Sequence, residues 1–178
     1  MQDILEELNI KNIVIADDSD ENIYAARQFG ETLPGIGFEY FQRGDILVAC
    51  IPKRYREFDL ILTDKQMETD ESGFDVIEAG MNYYIPTFIV SGGYQHRENE
   101  VIKIFPGMTG VEGSKDSKET WQKILNIIIK SGSDSRETLD IVQLARRAGV
   151  EVPCKGPFTS GEHSRSVAES YFRYPERI

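Results

Sequence analysis

The apolar positions of the chain fall into short runs separated by stretches with helical spacing. Residues 12–16 read NIVIA, a run rich in β-branched side chains that predicts a strand. ENIYAARQFGETL over 21–33 spaces its apolar residues as a helix does, and Pro34, Gly35 and Gly37 then punctuate the chain. The segment 37–58 is the least regular: it predicts one strand or a hairpin, with only a stub of helix before Phe58. DLILT over 59–63 predicts the next strand, and ESGFDVIEAGMNYY over 71–84 a second clear helix. IPTFIV over 85–90 predicts a strand that stops at Ser91, Gly92 and Gly93, with a short helix near 97–104 after it. MTGVEG over 108–113 holds a last strand, followed by DSKETWQKILNIIIK over 116–130 with Trp121, Ile124, Leu125 and Ile128 on one stripe. Strands alternating with helices imply βαβ units and an α/β fold built on a doubly wound parallel sheet.

This pattern covers residues 1–131 as one domain, and 132–178 form a C-terminal extension. In that extension 135–148 predict an amphipathic helix, with Leu139, Val142, Leu144 and Ala145 as its apolar positions and Gly149 as its stop. Beyond it the chain is rich in Gly, Pro and Ser and reads as irregular. The extension is expected to pack on the domain, pair two chains or dock a partner.

The polar residues that close the strands carry the chemistry. Asp17 and Asp18 follow the first strand, Asp64 follows DLILT, Ser91 follows IPTFIV, and Lys115 follows the last strand. In an open parallel sheet the C-terminal strand ends share one edge, where ligands bind. Residues about a hundred positions apart would therefore meet in one pocket holding carboxylates, a hydroxyl and an ammonium. Crowded carboxylates repel, and a cation compensates them. The local alternatives are simpler. Asp17, Asp18 and Asp20 are also suited to cap the helix that follows, Asp64 and Ser91 to sit in turns, and Lys115 to be a solvated charge beside Lys118. His96 and His163 have no partners at ligand spacing. Phe38, Tyr40, Phe41, Tyr83 and Tyr84 read as core or rim.

ADDSDEN, FDLILTDKQM with GFDVIEAG behind it, IPTFIVSGG and a late lysine before an amphipathic helix together resemble the receiver domain of two-component response regulators, over about residues 10–130. The resemblance implies a flavodoxin-like fold with a five-stranded parallel sheet. It implies that Asp64 accepts a phosphoryl group from a histidine kinase, a phosphotransfer protein or a small phosphodonor. It also implies Mg²⁺ held by Asp17, Asp18, Asp64 and the backbone carbonyl of Gln66, with Ser91 and Lys115 on the phosphoryl oxygens. Such a protein would modify and restore only its own Asp64, switch a protein-interaction surface, and not be an enzyme in the wider sense. Several positions depart from the family pattern. Asp116 follows the lysine where many receivers carry Pro, Glu112 stands where many carry an aromatic switch residue, Glu68 replaces a common Pro, and the loop METDESG is long.

Composition narrows the field further. The chain has 178 residues and a net charge of −10. Residues 132–178 hold seven acidic and seven basic side chains, so the whole excess lies on 1–131, with 23 acidic and 13 basic. Such a body repels nucleic acid phosphates. No apolar run approaches the roughly 18 residues of a membrane span, and the acidic start QDILEE is neither a signal nor a transit peptide, so a cytoplasmic location is expected. Cys50 and Cys154 lie far apart and read as free thiols. Two other readings stay open: a receiver-like binding module that is not phosphorylated, and a haloacid dehalogenase-type phosphohydrolase with Asp18 as nucleophile. The second lacks an acidic pair ending a strand after the lysine.

Overall fold

The computed structural model describes residues 1–130 except 9, 84, 97–98 and 106–109. Both expectations for 132–178, the helix and the partner-docking role, lie outside the described residues. The elements run α1 (Gln2–Glu7), β1 (Asn12–Ala16), α2 (Asp20–Gly30), β2 (Gly37–Phe41), α3 (Gly44–Arg54), β3 (Leu60–Thr63), α4 (Ser72–Asn82), β4 (Thr87–His96), β5 (Asn99–Phe105), β6 (Val111–Glu112) and α5 (Lys118–Lys130). They form one sheet in the order β2-β1-β3-β4-β5-β6. Strands β2, β1, β3 and β4 are mutually parallel, which is the βαβ architecture expected.

Burial on both faces explains why the central strands are apolar throughout. Along β1, Ile13 and Ile15 pack into a core with α2 and α5, whereas Val14 and Ala16 pack into a second core with α3 and α4. Leu60 and Leu62 of β3 join the first core and Ile61 joins the second. The stripe Trp121, Ile124, Leu125 and Ile128 of α5 is buried in the first core, as its spacing predicts. Helix α1, which the pattern left unassigned, adds Leu5, with Leu8 and Ile10 after it, to that core.

Four expectations need correction. The segment 37–58 takes the single-strand alternative, β2, but its helix is no stub: α3 has 11 residues. Strand β4 does not stop at Ser91. It runs on to His96 because β5 folds back against it, and a register shift between Ser91 and Tyr94 absorbs Gly92 and Gly93. The helix expected near 97–104 is this strand β5, antiparallel to β4, with Ile102 and Ile104 buried at a period of two. The expected five-stranded parallel sheet is therefore four parallel strands plus an antiparallel hairpin, and β6 pairs with β5 rather than with β4. Among the described residues no helix is long and apolar enough to cross a membrane.

Candidate functional site

The parallel register fixes the ends of β1 and β3 side by side. Asp17 N–H donates to the carbonyl of Phe41 at 3.0 Å, and Asp64 N–H donates to that of Ala16 at 2.7 Å. Each bond extends the ladder one residue past its strand, so both carboxylates leave the same edge of the sheet. Lys115, in the turn between β6 and α5, reaches that edge with its side chain. Its ammonium donates to Asp17 Oδ2 at 2.6 Å, to Asp64 Oδ1, and to the carbonyl of Val90 at 3.2 Å. The three side chains come from positions 98 and 51 residues apart. Asp17 is 1% exposed and Lys115 is 6% exposed, so these charges are largely out of water.

A buried ion group persists only where its remaining lone pairs and protons are satisfied. Asp17 Oδ1 accepts from the Ser19 N–H and from the Asn22 side-chain amide, both at 3.0 Å. The same amide lies 3.2 Å from Asp17 Oδ2. Asp64 Oδ2 accepts from the Gln66 N–H at 2.8 Å. Burial raises the Asp64 carboxyl above its ordinary value; the positive charge of Lys115 opposes that rise and the negative charge of Asp17 adds to it. Burial works to lower the Lys115 ammonium, but Asp17 and Asp64 together outweigh it and hold the group above its ordinary value.

The loop after β3 is fixed from several sides. Glu68 reaches across to α3 and accepts from the N–H groups of Gly44 at 2.8 Å and Asp45 at 2.6 Å. It thereby serves as the N-terminal cap that Arg43 does not supply. Gly73, in the first turn of α4, packs on the loop after β3 itself. A Cβ there would lie 2.3 Å from the carbonyl oxygen of Asp64 and 2.7 Å from Cα of Lys65. The turn that carries Lys115 is equally constrained. Gly113 has φ +134°, and a Cβ on it would meet Thr120 Oγ1 at 2.5 Å.

Of the residues expected at the site, Asp17, Asp64 and Lys115 are in direct contact. Asp18 is exposed beside them. Ser91 is buried at 8% exposure within β4, and its hydroxyl donates to the carbonyl of Gly92 at 3.5 Å. Gln66 meets Asp64 through its N–H. Asp20 takes the bland role suggested for it: Ser19 caps α2 and Asp20 sits in the first turn, accepting from Gln42. Among the described residues no three His, Cys, Asp or Glu side chains stand together as a ready cation cage. The donor chemistry nevertheless suits a hard cation, because carboxylate oxygens converge and one ammonium leaves them with excess negative charge.

Asn22, Glu68 and Trp121 contribute to the site, although the sequence pattern did not mark them for it. Asn22 is five residues past Asp17, within the first turn of α2, and its amide position follows from the Ser19 cap. Trp121 reads only as core, yet its indole N–H donates to the Lys115 carbonyl at 2.7 Å. Comparison with family models, with curated proteins and with solved structures gives no match.

Proposed function

We propose that this chain is a receiver-like phosphoacceptor, and that Asp64 takes a phosphoryl group from a phosphohistidine of a kinase or phosphotransfer protein, or from a small acyl phosphate. The observation that carries the reading is the contact of Lys115 with both Asp17 and Asp64 at one sheet edge. An Asp64 carboxylate oxygen attacks phosphorus, a P–O bond to Asp64 forms, and the P–N or P–O bond to the donor breaks with its electron pair leaving on the donor. Lys115 follows the negative charge onto the phosphoryl oxygens, a shift of hydrogen-bond partners within one pocket. Gln66 N–H keeps the second Asp64 oxygen in place, and Asn22 with Ser19 keeps Asp17 oriented. Asp17, Asp18, Asp64 and the Gln66 carbonyl would hold Mg²⁺. That ion, when bound, supplies further neutralisation of the charge crowded between acceptor and donor.

Two alternatives rank lower. Asp18 as a phosphohydrolase nucleophile is disfavoured because the lysine engages Asp17 and Asp64 while Asp18 is exposed. A receiver-like module that is never phosphorylated draws support from the β4–β5 hairpin, since that hairpin occupies the place where the sequence pattern predicts a helix. Beryllofluoride, which mimics a phosphoryl group on a carboxylate, separates the readings. The proposal expects a bound fluorine NMR signal that requires Mg²⁺ and is absent from Asp64→Asn. A signal that persists in Asp64→Asn, or none in the parent, would contradict it.

A further inference from the structure

We propose that Trp121 is a positioning residue for Lys115, whose indole N–H holds the lysine's own carbonyl and so aims the ammonium between Asp17 and Asp64. A lysine side chain is a flexible four-carbon stem, so where its charge ends depends on where its backbone is fixed. Here the backbone lies in a turn rather than a strand. Gly113 enters it at positive φ, Ser117 N–H closes it on the Ser114 carbonyl, and α5 starts at Lys118. The Lys115 carbonyl accepts from the indole at 2.7 Å, and the Trp121 side chain is itself only 2% exposed. Trp121 N–H bonds back to the Ser117 carbonyl at 3.3 Å, so the indole stands on the first turn of the helix whose entry it restrains. The residue therefore joins two tasks: its ring fills the core between α2 and α5, and its N–H sets the lysine.

The consequence for phosphoryl transfer rests on the function proposed above, but the positioning itself does not. Trp121 is the single tryptophan, so the indole can be replaced throughout by benzothienylalanine, which keeps the volume and lacks the N–H donor. Trp121→Phe is the simpler second variant, and Ile124→Val is a packing control in the same core. The primary readout is exchange of the Lys115 ammonium protons with water, followed on the Nζ signal by NMR. Loss of one well-made hydrogen bond should speed that exchange about tenfold in both donor-lacking proteins and leave it unchanged in Ile124→Val. The second readout is phosphorylation by acetyl phosphate. Its maximal rate should fall about tenfold with little change in KM, because the lysine acts on charge that develops during transfer. Unchanged ammonium exchange in the benzothienyl protein, or equal acceleration in Ile124→Val, would overturn the proposal. Faster exchange together with a parent protein that takes up no phosphoryl group would leave the positioning intact and remove the function.

Discussion

Lys115 balances two carboxylates that burial would otherwise make untenable. Taking it away strands Asp17 and Asp64 beside one another with only dipolar partners. Breaking a buried ion group in this way costs about 3–5 kcal/mol. One of the two carboxyls can protonate in response, so Lys115→Met is expected to lose about 3 kcal/mol in urea unfolding at neutral pH. Asp64→Asn should behave oppositely. The Asp64 carboxyl is raised chiefly by burial, so the folded state holds its proton more tightly than the unfolded chain does. Its contribution to stability is therefore complete below the unfolded carboxyl value of about 3.9, and it is lost as pH rises through the raised value. Above the raised value that contribution is gone, and there Asp64→Asn should be the more stable protein. The two should converge as the pH falls toward 4. Equal stability at every pH would show that Asp64 ionises without penalty.

At the scale of elements, the loop after β3 is held by its neighbours more than by its own sequence. Gly73→Ala places a methyl carbon against the backbone of Asp64 and Lys65, neither of which can swing away as a side chain would. The first turn of α4 must retreat, with an expected cost of about 1–3 kcal/mol from overpacking and reduced phosphorylation of Asp64 in the folded fraction. Normal stability and activity in that variant would mean that the loop is not set by α4. The same dependence on neighbours explains which elements were legible in the sequence. NIVIA and LILT are buried on both faces, and α2, α4 and α5 carry a buried stripe, so local pattern sufficed. Helix α3 was not legible. It contains Pro52, lacks a side-chain cap of its own, and takes its cap from Glu68, 24 residues away. Strand β5 was misread because charged residues stand ahead of Val101, and only pairing with β4 selects the strand. The site itself was half legible. Strand ends point to Asp17, Asp64 and Lys115, but Asn22 and Trp121 act through bonds that depend on loop geometry.

For the whole molecule, the four parallel strands bring Asp17 and Asp64 to one edge, and the hairpin returns the chain so that Lys115 joins them. Among the described residues, the two hydrophobic cores together take side chains from every helix, α1 to α5. A chain ending at Ser131 is therefore expected to unfold in one cooperative step with the ammonium of Lys115 still protected. If that chain unfolds without cooperativity, residues 132–178 supply part of the core. The central claim is that Asp64 accepts a phosphoryl group in a pocket closed by Lys115. It is tested most directly by intact-protein mass spectrometry after incubation with acetyl phosphate and Mg²⁺. The account expects one added phosphoryl group in the parent protein, none in Asp64→Asn, and strongly reduced uptake in Lys115→Met. No adduct in the parent, or an equal adduct in Asp64→Asn, would contradict it.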